Sequence, residues 1–490
     1  MLTLPVISTH HSRSRRIAIE VKTTNACNLA CSYCYIDHRA AKGVMKDATL
    51  ESLILKSLST HESVHYMWHG GEPLLVGLSF FKKAVALQKQ FPGKLIANNI
   101  QTSGTLITEE VLDFCKEHGF GLGFSLDGPL ELNDRTRLFH SGQSTFEIVT
   151  ESLRKARRRG LGNAAIVVVN RHNLNELSKV YAFARSEGIN LKFHPLLNAG
   201  AAIANFSGLG IEANEFGQAM VRLFDEWFYD DTETILEPFW EIIGNLLSEQ
   251  PSGCYFNGSC QSSYIAVDPQ GNVYPCGLFD GMAEFKLGNL NEQDFVAILE
   301  SERRQELRGR ESRIADCNNC QYQKVCNSGC MFNAYTRSGT IEEKDYFCES
   351  YRMWYRHLGD VIDRELTGAE IKDDSRPESL NQDEGFIFRG KRISPDKISN
   401  KKLARIFRKR VYFPQMSDTA RVLYKSAQAN GMLGRFEMAE RLYRRALRIQ
   451  RKILGAAHPD YALSLRGLTG LYEAEGRARD AALLGQGIEL

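Results

Sequence analysis

No apolar run in this 490-residue chain approaches the ~20 residues a helix needs to cross a bilayer, and the first 16 residues are partly basic without the apolar stretch of a signal peptide. The expectation is a cytoplasmic protein with no membrane partner. An excess of one charge is also missing: 61 Lys and Arg stand against 59 Asp and Glu, for a net charge of +2. That balance gives no support to nucleic-acid binding by the whole chain. The basic run at 154–159 follows Leu153 at helical spacing and reads as a solvated face. Twelve cysteines in a reducing compartment argue for metal ligation over disulfides. The length allows two to four domains.

What the chain does have is Cys27-Asn28-Leu29-Ala30-Cys31-Ser32-Tyr33-Cys34-Tyr35, directly after the apolar run 17–21. Three thiols at spacings of four and three converge within one short loop, and the next cysteine is Cys115. Soft ligands of this kind suit an iron-sulfur cluster or zinc. With three protein ligands, a [4Fe-4S] cluster keeps one iron open to another molecule. The CxxxCxxC spacing followed by Tyr35 resembles the signature of the radical S-adenosylmethionine (SAM) enzymes. That resemblance implies SAM on the open iron and a 5'-deoxyadenosyl radical that takes hydrogen from a substrate.

Short apolar or β-branched runs at 17–21, 65–68, 98–102, 121–125, 164–169 and 191–194 leave room for a helix between each pair. The intervening faces include Ile54, Leu55 and Leu58; then Phe80, Val85, Leu87 and Phe91; then Phe146, Val149, Leu153 and Ala156. Six such units predict an α/β domain, a parallel sheet curved into a partial (β/α)6 barrel with its chemistry at the C-terminal strand ends. After the second strand, Gly70, Gly71 and Glu72 precede Pro73, resembling the GGEP motif that holds the SAM amino group. The third strand ends at Gln101-Thr102-Ser103-Gly104, close to a Gln-Thr-Asn-Gly run of sulfatase-maturating relatives. The resemblance places Ser125 near the SAM ribose or carboxylate. Arg137, with its forked guanidinium, is the candidate partner of the SAM carboxylate. Cys115, among apolar neighbours, reads as core.

Eight cysteines remain: Cys254, Cys260, Cys276, Cys317, Cys320, Cys326, Cys330 and Cys348. Two zinc sites of four cysteines each are one reading of CxxC-containing sets. Their spacing resembles the SPASM domain of peptide-modifying radical SAM enzymes and anaerobic sulfatase maturases. Carried over, Cys254, Cys260, Cys276 and Cys330 hold one auxiliary [4Fe-4S] cluster and Cys317, Cys320, Cys326 and Cys348 another, making three clusters in all. Between them, Pro269-Gln270-Gly271-Asn272 predicts a hairpin that presents Cys276. Sulfatase maturases place an aspartate base directly after that cysteine, where this chain has Gly277; Asp280 is the nearest replacement.

The expected domain plan is an N-terminal extension (1–16), the barrel (17–210), the SPASM domain (211–365), a basic linker (366–415) and helical repeats (416–490). Gly434-Arg435 recurs as Gly476-Arg477, and Leu423, Ala439 and Leu442 recur at Leu465, Ala481 and Leu484. The 42-residue period resembles tetratricopeptide repeats of the kinesin light chain type, which bind peptides or proteins. Sixteen residues before the first strand are too few for a winged-helix leader-recognition module, so the repeats or the basic segment before them are expected to recruit substrate. Together these features lead to a radical SAM/SPASM oxidoreductase that cross-links a ribosomally made precursor peptide through a carbon-carbon cyclophane or a thioether, with flavodoxin or ferredoxin as reductant. Formylglycine formation on a sulfatase-type substrate is the alternative, and a partner-binding scaffold with structural clusters the third.

Overall fold

The computed structural model describes residues 16–36, 43–258, 260, 262–370, 386–388, 391–408, 411, 413–456 and 458–485. The N-terminal extension before residue 16, the polar stretch at 373–382, and Arg389, Lys409 and Arg410 of the basic segment lie outside the described residues. The chain divides into two compact units, one of Met1–Asn245 and Glu249–Gly359, the other of Leu246–Ser248 and Asp360–Leu490.

Six parallel strands form the centre of the first unit: β1 (Arg16–Thr24), β2 (Ser63–Gly70), β3 (Leu95–Thr102), β4 (Phe120–Ser125), β5 (Ala164–Val169) and β6 (Asn190–Pro195). Between them run α1 (Asp47–Thr60), α2 (Leu78–Gln88), α3 (Glu109–His118), α4 (Phe146–Arg158) and α5 (Leu177–Glu187). Phe91, grouped with α2 by spacing, lies past its end, where Phe91 N donates to Gln88 O (3.1 Å). Alternation along the strands sorts two faces. Ile17, Ile19 and Val21 of β1 and Val64, Tyr66 and Trp68 of β2 are fully or almost fully buried. Trp68 meets Phe80 and Phe81 of α2 edge-on, with ring centroids 6.0 and 5.7 Å apart. The opposite face carries Glu20, Lys22, His65, His69, Gln101, Ser125, Lys192 and His194. A parallel sheet buried only against helices would be apolar on both sides; here one face is polar.

The sheet extends at both edges. β7 (Leu236–Glu237) joins β6 in parallel, and β8 (Tyr264–Val267) joins β1 in parallel, pairing Glu20 with Ala266. β9 (Asn272–Tyr274) and β10 (Gly288–Asn289) continue antiparallel, so an open sheet of ten strands runs from β10 to β7. The cysteine-rich segment is thereby a continuation of the barrel sheet. α6 (Ala213–Tyr229) and α7 (Cys348–Gly368) pack through Phe216 on Trp354 (5.2 Å) and the Trp354 Nε1 bond to Gly217 O (3.2 Å).

In the second unit, the stretch expected to be a basic linker contains a hairpin of β11 (Phe386–Phe388) and β12 (Lys391–Ile393), then α8 (Lys401–Phe407). Leu403, Ile406 and Phe407 of α8 are buried. The basic composition hid these apolar residues because they occupy one narrow helix face. Four helices follow: α9 (Phe413–Met432), α10 (Phe436–Leu454), α11 (Pro459–Ala474) and α12 (Ala478–Gly485). Gly434 and Gly476 take φ of 70° and 74° just past α9 and α11, the left-handed turn that closes a helix. Among the described residues no helix is long and apolar enough to cross a membrane.

Candidate active site

The three-cysteine loop leaves β1 at its C-terminal end and is held from three sides. Gly71 N donates to Thr24 O (2.8 Å) and Glu72 N to Ala26 O (2.9 Å). A Cβ on residue 71 would stand 2.1 Å from Ala26 O, so only glycine permits this approach. Across the loop, Ala30 N bonds Leu138 O (2.9 Å) and Ser32 N bonds Thr136 O (3.0 Å). From beyond β6, Ala202 N reaches Cys34 O (3.1 Å) and Asn205 Nδ2 reaches Ser32 O (2.8 Å). Burial pushes the Cys27 thiol up to about 12 and Cys34 up to about 11, and raises Cys31 too, although Arg137 opposes it. As free thiols they stay protonated at neutral pH; a bound metal would replace the protons. Among the described residues no three His, Cys, Asp or Glu side chains meet closely enough to hold one metal ion.

Around the loop stand the other residues singled out in the sequence. The buried Glu72 carboxylate accepts from Leu74 N (3.1 Å) and Thr102 Oγ1 (2.7 Å) on one oxygen, and from Ser103 N (2.8 Å) and Ser103 Oγ (2.6 Å) on the other. Four donors use its capacity, so Glu72 braces the ends of β2 and β3 together. Gln101 Nε2 donates to Phe124 O (2.9 Å) and Ser125 Oγ (3.1 Å), which puts those two site residues side by side. Arg137 is buried; its Nη1 donates to Tyr33 Oη (2.7 Å), while its Nε has no partner among the described residues. Asp127, whose carboxyl is pushed up by burial and lowered again by Arg137, accepts from Val168 N and Thr136 Oγ1 (both 3.0 Å). Tyr35 lies under the Lys22 ammonium, 5.2 Å from ring centroid to Nζ.

The remaining eight thiols fall into two groups. Cys317, Cys320, Cys326 and Cys348 line one recess. Cys276 and Cys330 each lie within electrostatic reach of both Cys254 and Cys260. Asp345 stands at both: it accepts from Cys330 N (2.7 Å), lines the recess of the other group, and is pushed up to about 6 by burial against the bonds from Phe347 N and Cys330 N.

Family models match at residues 21–184 (radical SAM superfamily), 254–321 (iron-sulfur cluster-binding domain, SPASM) and 418–486 (tetratricopeptide repeat). A serine-type anaerobic sulfatase-maturating enzyme of Bacteroides thetaiotaomicron is 30% identical over 388 residues, 73% of this chain and 92% of that protein. The chain belongs to the radical SAM/SPASM enzymes. A second serine-type relative, from Klebsiella aerogenes, is 31% identical over 69% of this chain and 83% of its own. The solved structure of native anSMEcpe with bound AdoMet and Cp18Cys peptide is 26% identical, superposes with a TM-score of 0.64, and covers 71% of this chain and 99% of its own. Streptococcus suis SuiB bound to S-adenosylmethionine shares the fold at 15% identity and a TM-score of 0.51, over 67% of this chain and 76% of its own.

One carboxylate of this radical SAM/SPASM chain escaped the sequence reading. Glu20, on the polar face of β1, accepts from Tyr264 Oη (2.8 Å), and a Cβ at residue 277 would come within 2.0 Å of its Oε1. The Glu20 carboxylate therefore fills the space a side chain at 277 would take. Its signal in the sequence was a charge inside the apolar run 17–21. Asp280 is bound instead to the Lys22 ammonium (3.1 Å), which also donates to Gly277 O (2.6 Å). Four of the five cations in the basic run 154–159 form ion pairs, Arg154 with Glu187 (2.6 Å) and Lys155 with Glu109 (3.0 Å) among them.

Proposed function

We propose that this enzyme oxidises a residue of a ribosomally made peptide, using one SAM-binding and two auxiliary [4Fe-4S] clusters. The observation that carries the reading is the seating of the Gly71–Glu72 turn on the cysteine loop through two backbone hydrogen bonds. In this assignment Cys27, Cys31 and Cys34 hold the first cluster, and the two groups of four thiols hold the auxiliary pair. The donors fit: all are thiols, and one group already encloses a recess. With the first cluster reduced by a flavodoxin or ferredoxin, bound SAM would supply the radical that removes hydrogen from the peptide.

The chain's own residues bind and orient. The orphaned Arg137 Nε is a donor for the SAM carboxylate. The Gly70–Gly71 backbone faces the amino end, with Glu72 holding Thr102 and Ser103 in place behind it. Gln101 and Ser125, already hydrogen-bonded to one another, face the ribose. Tyr35 closes the loop beside Lys22.

The product in this reading is an intramolecular cross-link, because Gly277, and no carboxylate, stands directly after Cys276. A specific observation favours formylglycine as second reading: Glu20 supplies a carboxylate in the space beside residue 277. Anaerobic coexpression with each candidate peptide from small reading frames near the gene, followed by tandem mass spectrometry, separates the two. Loss of two hydrogens with no backbone fragments between two residues is the expected result. The same loss confined to one serine or cysteine, trapped by a hydrazine, replaces the cross-link with an aldehyde.

A further inference from the structure

A shallow recess, with about 330 Å³ of empty space that is partly open to solvent, lies where the loop after β6 meets the segment 333–347. Leu196, Leu197, Phe206 and Phe347 form its apolar walls, and Asn333 and Arg337 are among its polar ones. Leu196 and Phe206 belong to the same apolar cluster as Tyr33 and Cys31, so the recess borders the cysteine loop directly.

Asn333 makes it a built site. The side chain is 1% exposed, and its Nδ2 donates to both oxygens of Asp345 (3.1 and 3.3 Å), which fixes the orientation of the amide. Its Oδ1 is buried and has no donor among the described residues. A buried acceptor left unmet is costly, and a peptide N–H is the donor that an extended backbone would bring. At the rim, the Arg337 guanidinium lies over the Tyr346 ring, 4.9 Å from its centroid, and Arg337 is exposed. That cation favours an anion beside the apolar pocket.

We infer that this recess anchors the substrate peptide: an apolar side chain enters between Leu197, Phe206 and Phe347, its backbone N–H bonds Asn333 Oδ1, and the acidic residue that follows pairs with Arg337. The inference rests on the peptide-oxidase reading and names the sequence feature that reading requires of its substrate. An apolar residue followed by Asp or Glu then sits beside the cysteine loop, between barrel and auxiliary thiols.

The test uses the full reconstituted chain and four synthetic probes: N-acetyl-Ala-Leu-Glu-Ala-amide and its counterparts carrying Leu-Gln, Leu-Lys and Ser-Glu, titrated calorimetrically. The Leu-Glu probe should bind about tenfold more tightly than Leu-Lys, the sum of an attraction gained and a repulsion removed, and Ser-Glu should bind more weakly than Leu-Glu. Arg337→Glu should reverse the Glu-over-Lys order, and Leu197→Trp, which fills the recess, should abolish binding of every probe. Iron content and melting temperature, compared with the parent, verify that both variants fold. Equal binding of all four probes, binding of none, or binding indifferent to both substitutions overturns the inference. Formation of 5'-deoxyadenosine without peptide is measured separately. Its absence overturns the peptide-oxidase reading itself, whereas its presence with no probe preference removes only the anchor site.

Discussion

Glu20 and Gly277 are a pair that neither residue announces alone. Placing Asp at 277 brings a Cβ within 2.0 Å of Glu20 Oε1 and a second buried carboxylate beside the first. Gly277→Asp should therefore lower stability by about 1–3 kcal/mol through overpacking, more if both carboxylates stay charged. Combining it with Glu20→Ala, which empties the space, should restore most of the loss in a thermal melt. Equal damage from G277D in both backgrounds would show that the crowding is not with Glu20. His194 carries a pH prediction. Burial, with the Lys192 cation beside it, holds the imidazole neutral down to about 3, and its Nδ1 bonds the Tyr255 hydroxyl. Above the ordinary value near 6.5 both folded and unfolded chains are neutral at this site. As pH falls from there toward 3, only the unfolded chain gains the proton, so stability is lost. His194→Gln, which keeps a hydrogen bond without titrating, should reduce the loss between pH 6.5 and 5.5 by about 1 kcal/mol in urea unfolding followed by tryptophan fluorescence. At this scale the cysteines were legible because ligand spacing is written in the chain. Glu20 and Asn333 were not, since what matters about each is a partner, or a missing one, brought near by folding.

The six central strands were readable as apolar runs because each is buried by helices on one side over its whole length. β7 and β8 were not readable as parts of that sheet. β7 is two residues long, and the pairing of β8 with β1 joins residues more than two hundred positions apart, which no local pattern records. The repeats show the same limit. Their period identified the helix pairs, but the joint between pairs depends on one side chain. Glu440 of α10 accepts from Tyr472 Oη (2.7 Å), Arg444 Nε (3.0 Å) and Arg477 Nη1 (2.7 Å), so it ties α10 to α11 and to the turn before α12. Glu440→Ala removes three charge-assisted bonds at a site 20% exposed. It should cost the repeat segment roughly 1–3 kcal/mol, seen as an earlier loss of helical circular dichroism. A melt unchanged from the parent would mean that apolar packing around Tyr443, Leu468 and Tyr472 holds the joint unaided.

For the whole molecule, every residue assigned to SAM or to a cluster falls within the unit of Met1–Asn245 and Glu249–Gly359. The repeats contribute none of them. Substrate recruitment by the repeats requires that loss of residues 371–490 weaken binding of the precursor peptide while 5'-deoxyadenosine formation in the absence of peptide continues at the parental rate. Peptide affinity measured by fluorescence anisotropy, beside the rate of SAM cleavage, distinguishes the outcomes. Unchanged affinity with unchanged cleavage would assign all peptide recognition to the catalytic unit and leave the repeats to another partner. Loss of both would mean that the repeats support the fold of the catalytic unit. The division of labour therefore depends on the pair of measurements, because either one alone fits two arrangements.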